Sequence, residues 1–289
     1  MQKTNPKHKI VKEQSQSQPG MEYKMDPLPE FDTDMPDGKK LLDKKCIITG
    51  GDSGIGRAVA VAFARQGADV AIIYKESEKK DAETTANVIH EKYKRQCIQV
   101  AADISVEGNC VKAIQKILQT FPKIDILVNN AAVQYPVDDI TRISSAQLIE
   151  TFSVNIFAMF WITKAVVPNM PKGGCIINTA SVTAYRGSSS LLDYSSTKGA
   201  IVSFTRSLSS NLTDKGTRVN GVAPGPVWTP LIPATFPPEE VAKFGTDSPM
   251  KRPGQPVEIA PAYVFLASED ARFISGQILH VNGGELVNG

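Results

Sequence analysis

The run Thr49-Gly-Gly-Asp-Ser-Gly-Ile-Gly56 constrains this chain more than any other stretch of its sequence. An apolar segment, 46–49, leads into it, and apolar residues at helical spacing (Ile55, Val59, Ala62, Phe63) follow it as far as Gly67. Gly50, Gly54 and Gly56 therefore fall between a predicted strand and a predicted helix, the setting in which a glycine cluster has chemical meaning. Glycine lets the backbone turn tightly and approach a ligand closely. The helix that follows presents free N–H groups and the positive end of its dipole to an anion. The spacing is Gly-x-x-x-Gly-x-Gly rather than the Gly-x-Gly-x-x-Gly fingerprint, but strand, turn and helix together predict a cofactor loop.

Apolar runs recur at 68–74, 97–102, 124–128, 174–178, 217–223 and 277–281. Between them lie segments of helical spacing at about 77–95, 106–121, 145–167, 193–212 and 257–267. Strands that alternate with helices, and are apolar on both faces, predict an α/β domain with a parallel sheet covered on both sides. Residues 1–40 differ. They begin polar and glutamine-rich and continue through Pro27, Pro29 and Pro36 without strand or helix period. Such a segment cannot fold alone. Residues 1–18 are expected to be mobile, and 20–40 to pack as an arm anchored by Tyr23, Leu28 and Phe31. The catalytic domain is expected to occupy 41–289.

Composition excludes several classes. The net charge is +2 and the basic residues are dispersed among acids, which argues against a nucleic-acid partner. Cys46, Cys97, Cys110 and Cys175 are far apart with no CxxC pair, as expected of reduced thiols in a cytoplasmic protein. No unbroken apolar run approaches the roughly 18 residues of a membrane span, and no signal-peptide core opens the chain.

Tyr194 and Lys198, in Leu192-Asp-Tyr-Ser-Ser-Thr-Lys-Gly199, stand four residues apart in a helical segment and project from one face. An ammonium beside a phenol favours the phenolate and lowers its pKa from about 10, which makes a proton donor and acceptor usable near neutral pH. Many surface helices carry this pair. The cofactor loop upstream is what points it towards redox chemistry. A Ser/His/Asp hydrolase is ruled out: the histidines are His8, His90 and His280, and no Gly-x-Ser-x-Gly elbow surrounds Ser181.

From about residue 42 to 284 the chain resembles a short-chain dehydrogenase/reductase. The resemblance rests on Thr49-Gly50 with Gly54-x-Gly56, Asp103 after the third strand, Asn129-Asn-Ala-Ala132 after the fourth and Asn155 in the long helix. It continues with Ser181 after the fifth strand, Tyr194 with Lys198, and Pro224-Gly225 after the sixth. Within the family it is similar to bacterial NAD(P)-dependent aldehyde reductases and glucose-dehydrogenase-like members with a polar N-terminal extension. The resemblance implies a single doubly wound Rossmann-type domain with a seven-stranded, mostly parallel sheet. It also implies a hydride transfer between a nicotinamide cofactor and a small aldehyde, ketone or sugar.

The same resemblance assigns roles. Tyr194 would donate a proton to the carbonyl oxygen in reduction and accept one in oxidation. Lys198 would lower the phenol's pKa and hold the nicotinamide ribose, Ser181 would orient the substrate oxygen, and Asn155 would hold a water linking Lys198 to solvent. Alone, Ser181 is one serine among many; its place two residues past Thr179 and thirteen before Tyr194 selects it. Thr49, Gly50, Asp52, Ser53, Gly54, Ile55 and Gly56 would cradle the pyrophosphate side, with Tyr74 and Lys75 at the end of the second strand. Asp103 would accept from the adenine amino group with Ile104 against the ring, and Asn130, Ala131 and Ala132 would line the adenosine side. Thr179, Pro224 and Gly225 would border the cofactor, while Val227 and Thr229 would meet the carboxamide.

The choice between NAD and NADP stays open. Tyr74 replaces the carboxylate that would bond a 2′-hydroxyl, and Lys75 suits a 2′-phosphate, but Asp52 and Glu76 would repel one; NAD is expected to bind. A lid is expected at about 227–250. No metal site is spelled. The family implies a homotetramer. Two other readings remain: a 3-oxoacyl-thioester reductase of the same fold, and a non-catalytic NAD(P)-binding regulator.

Overall fold

The apolar runs become strands because the sheet's inner strands are buried along nearly their whole length; all six residues of the second are buried, while the two edge strands are only partly covered. The structure, a computed structural model, describes residues 13–32 and 38–286. Its strands are β1 (Lys45–Thr49), β2 (Asp69–Tyr74), β3 (Cys97–Ala101), β4 (Ile126–Asn129), β5 (Cys175–Thr179), β6 (Arg218–Pro224) and β7 (Ile278–Val281). They form one sheet in the order β3-β2-β1-β4-β5-β6-β7, and each neighbouring pair is parallel. The order in which strands are added reverses between β1 and β4, which opens a crevice at the carboxyl ends of the strands where such folds bind ligands.

The helices are α1 (Gly54–Arg65), α2 (Lys79–Tyr93), α3 (Glu107–Leu118), α4 (Ser145–Phe152), α5 (Ala158–Val166), α6 (Thr183–Arg186), α7 (Leu192–Leu212), α8 (Pro238–Val241) and α9 (Pro256–Ala267). One face of the sheet packs on α1, α2 and α9 through Val59, Phe63, Ala86, Ile89 and Tyr263. The other packs on α3 and α5 through Cys110, Ile114, Ile117, Ala158 and Ile162. The fold is the doubly wound α/β arrangement.

One expectation about the helices needs correction. The long helix is not continuous: Ser153–Phe157 is a π-turn between α4 and α5, where one extra residue per turn re-aims the side chains. By length and composition Ser145–Asn169 is also apolar enough to cross a membrane, but 56% of its most apolar stretch is buried inside the fold, as suits a core helix.

Within the N-terminal segment, residues 14–32 lie along the domain. The mobility expected for residues 1–18 falls, for 1–12, outside the described residues; from Gln14 the chain is held. Gln14 Nε2 donates to the Asp26 carbonyl at 2.5 Å and the Gln16 amide donates to the Pro233 carbonyl at 2.7 Å. Tyr23 and Leu28 are not the anchors, being 41% and 55% exposed. Glu22 and Met25 are buried instead, and Phe31 packs on the core below the Arg57 guanidinium.

Candidate active site

The glycine turn leaves β1 through Gly50, whose φ of +63° lies in the left-handed region that favours glycine. Gly56 is required for closeness: a Cβ there would sit 1.8 Å from the Gly50 carbonyl oxygen. Ser53, the residue before α1, makes no side-chain cap; the Gly54 amide is taken by the Glu22 carboxylate at 2.6 Å, and the remaining donors of the first turn are left for a ligand. Thr49 supports the neighbouring wall. Its hydroxyl accepts from the amides of Asn130 (2.9 Å) and Ala131 (3.1 Å), and Asn130 Nδ2 donates back to the Thr49 carbonyl at 3.1 Å. A cradle that a single methyl group would fill, placed at a helix start, fits a dinucleotide pyrophosphate.

The cradle opens into a cavity of about 460 Å³. Of the residues nominated from sequence, Gly50, Asp52, Ser53, Gly54, Ile55, Tyr74, Lys75, Asp103, Ile104, Asn130, Ala131, Ala132, Thr179, Ser181, Tyr194, Lys198, Pro224, Gly225, Val227 and Thr229 line it. Thr49, Gly56 and Asn155 lie behind the wall and shape it. Asp103 accepts from the amide and hydroxyl of Ser105, at 3.0 and 2.7 Å, and these bonds hold its carboxyl below the usual range against a burial that would raise it.

Tyr194 and Lys198 descend from α7 into this cavity. Lys198 is 2% exposed; its Nζ donates to the Thr179 carbonyl at 2.8 Å and stands 5.3 Å from the centre of the Tyr194 ring. Burial lowers the Lys198 pKa to about 7 and raises that of Tyr194 to about 12, with a hydrogen bond to Ser181 pulling the phenol back down. The expectation of a phenol acidified by its lysine is thus corrected: in the protein alone, desolvation dominates the shift of both groups. The Ser181 hydroxyl also accepts from the Thr183 amide at 3.2 Å, which fixes it at the end of β5.

Asn155 sits in the π-turn with its amide fully committed. Nδ2 donates to the Val133 carbonyl (2.9 Å) and to Thr197 Oγ1 (3.1 Å), while Oδ1 accepts from the Val133 amide at 2.9 Å. It therefore pins the segment after β4 to α7 at the residue before Lys198. Buried Asp193 braces the same helix, accepting from Thr151 Oγ1 at 2.9 Å and from the Tyr194 amide at 2.8 Å.

Sequence reasoning missed several cavity residues. Glu78, rather than Glu76, faces the cavity beside Lys75 and accepts from the Lys75 amide at 3.0 Å. Its spacing three past Lys75 was the available signal. Burial raises the Glu78 pKa to about 8, and that of Asp52 to about 6. Gln18, Pro19 and Gly20 of the N-terminal segment also line the cavity, with Gln134, Tyr135 and Arg186. Arg186 is paired with Glu285 at 2.8 Å. Among the described residues no group of three or more His, Cys, Asp and Glu side chains could hold a metal ion.

Comparison with known proteins agrees with this geometry. A family model described as enoyl-(acyl carrier protein) reductase matches residues 50–285. The uncharacterized oxidoreductase YhxC of Bacillus subtilis is 56% identical over 286 residues, 99% of each chain. A glucose and ribitol dehydrogenase of Daucus carota is 49% identical, covering 96% of this chain and 97% of the relative. An NADPH-dependent aldehyde reductase 1, chloroplastic, of Arabidopsis thaliana is 47% identical, covering 96% and 98%. Among solved structures, a short chain dehydrogenase from Burkholderia cenocepacia in complex with NADP superposes with a TM-score of 0.78 at 29% identity, over 85% of this chain and 98% of that one. A 3-ketoacyl-(acyl-carrier-protein) reductase from Brucella melitensis complexed with NADH gives 0.76 at 32%, over 84% and 98%.

Proposed function

The chain belongs to the short-chain dehydrogenase/reductase family and is an NAD(P)-dependent oxidoreductase; from that premise we propose that it interconverts a small neutral carbonyl compound and its alcohol, with Tyr194 as general acid and base. The observation that carries this reading is the convergence of the Tyr194 phenol, the Ser181 hydroxyl and Lys198 on one cavity that also contains the glycine cradle. The dinucleotide, when bound, supplies or accepts the hydride. Ser181 and Tyr194 hold the substrate oxygen between two hydroxyl groups, and Tyr194 passes its proton to that oxygen in reduction and takes it back in oxidation. Lys198 holds the nicotinamide ribose and, when protonated, stabilises the phenolate. Asn155 keeps the segment after β4 and α7 at a set separation.

A neutral substrate is supported by the pairing of Arg186 with Glu285, which leaves its charge compensated, and by what the relatives are named for: glucose, ribitol and aldehydes. The description of the family model and the ketoacyl reductase neighbour favour a second reading, a 3-oxoacyl-thioester substrate. Screening aldehydes, ketones, sugars and acyl thioesters with each nicotinamide, by absorbance, separates the two. Turnover of thioesters alone would replace the first reading, and turnover of nothing with intact cofactor binding would point to a regulator.

Exposed Leu148, Ile149, Phe157 and Phe160 on the α4–α5 face support a homotetramer, testable by sedimentation. Four buried, unbridged thiols support a reducing, cytoplasmic setting.

A further inference from the structure

The N-terminal arm touches both walls of the cofactor cleft. At the lid, the Gln16 amide donates to the Pro233 carbonyl at 2.7 Å, and Gly20 fits so closely that a Cβ there would meet the Pro230 carbonyl oxygen at 2.1 Å. Met25 completes a small core with Trp228, Ile232 and Val241, and the Trp228 indole donates to the Pro27 carbonyl at 2.9 Å. Arm and lid are one packed unit.

At the opposite wall, Glu22 is 1% exposed against the glycine loop. One carboxylate oxygen accepts from the Gly54 amide at 2.6 Å, the other accepts from Arg57 Nη1, and the Glu22 amide donates to Asp81 at 2.9 Å. Between these anchors the chain crosses the opening. Gln18 Nε2 donates to the Gln134 carbonyl, and Pro19 borders both the main cavity and the adjoining hollow lined by Lys75 and Asp103.

We propose that arm residues Gln16 to Met25 are part of the dinucleotide site: Gln18 and Pro19 lie across the bound cofactor as a strap, Glu22 is a positioning residue for the glycine loop, and undocking of the arm sets the rate of cofactor release. This rests on the family's cofactor binding and goes beyond it, because the strap is drawn from a segment outside the doubly wound domain. A ligand lying along the cleft from Asp103 to Tyr194 passes beneath Gln18 and Pro19. A tie from lid to loop across that path must open for exchange.

The test compares the full chain with Gly20→Ala, Glu22→Ala, Glu22→Gln and a truncation of residues 1–20. NADH and NADPH release is followed by stopped-flow nicotinamide fluorescence, and hydrogen exchange of the arm is measured with and without dinucleotide. Gly20→Ala, which pushes the arm off Pro230 without altering the cradle, and the truncation should each speed release at least tenfold. Both should raise the cofactor KM in proportion. Glu22→Ala should do the same, with partial rescue by Glu22→Gln, which still accepts from Gly54. Arm amides in the full chain should gain protection on cofactor binding. Gly20→Ala keeps the test decisive should the truncation fail to fold, with melting temperature as the check. Release within twofold of the full chain in the folded variants, or arm exchange indifferent to cofactor, would overturn the strap. If the full chain bound neither dinucleotide, the cofactor reading would fall and take the strap with it.

Discussion

Lys198 donates from Nζ to the carbonyl oxygen of Thr179 across 2.8 Å, tying the second turn of α7 to the last residue of β5. The bond holds the lysine where burial lowers its pKa to about 7, and burial separately raises the phenol of Tyr194 to about 12.

The first prediction is a pH dependence. A group with its pKa near 12 is protonated throughout the neutral range, so Tyr194 is always ready to donate. Carbonyl reduction should therefore show no loss from this group between pH 6 and 9. In oxidation the base is the phenolate, whose fraction rises about tenfold per pH unit below the pKa, so log kcat/KM should climb with a slope near +1. A plateau beginning below pH 8 in the oxidation profile would mean that attraction to the ammonium prevails over burial.

Removing the proton donor should be costly. Tyr194→Phe is expected to lower kcat by roughly 10²–10⁴, the usual contribution of general acid–base catalysis, with dinucleotide affinity nearly unchanged. More than a tenth of wild-type turnover would remove Tyr194 from the mechanism.

Lys198→Ala should reduce both turnover and cofactor affinity, because one side chain is assigned two tasks. Titration calorimetry alongside steady-state kinetics distinguishes them. A change in affinity alone would leave it as a ribose ligand without a part in the proton transfer.

Cofactor preference should shift with the charge of Glu78. Its pKa near 8 makes it mostly neutral at pH 6.5 and charged at pH 9. Near a protein surface, two charges about 8 Å apart interact by about 2 kcal/mol, so repulsion of a 2′-phosphate should appear only at the higher pH. Glu78→Gln should raise NADP affinity relative to NAD at pH 9, by roughly tenfold or somewhat more, and change little at pH 6.5. An affinity ratio that ignores both pH and substitution would locate the discriminator elsewhere.

Gly56→Ala tests the cradle. A Cβ only 1.8 Å from the Gly50 carbonyl must push the loop away from the helix. Overpacking of this kind typically costs about 1–3 kcal/mol, and dinucleotide affinity should fall with it. Unchanged binding in calorimetry would contradict the close approach of α1 to the turn.

By itself the sequence determined what depends on neighbours along the chain. The period of apolar residues set strand against helix, and runs such as 68–74, apolar on both sides, required a sheet covered on two faces. The order of glycines, Asn155, Ser181, Tyr194 and Lys198 specified which residues would meet. Tertiary structure decided what depends on partners remote in sequence. Gln18 reaches the carbonyl of Gln134, 116 residues away, and Glu22 reaches the Gly54 amide, 32 residues away; neither pairing leaves a periodic trace. The stretch before Gly20 reads as mobile, and Glu22 and Met25 go unnoticed as anchors, because their burial and bonds are supplied by Pro233, Gln134, Trp228 and Asp81, not by the arm's own residues. The same reason governs the catalytic pair. The spacing of Tyr194 and Lys198 is local and legible, but their pKa values follow from desolvation, which is summed over every segment that folds around them.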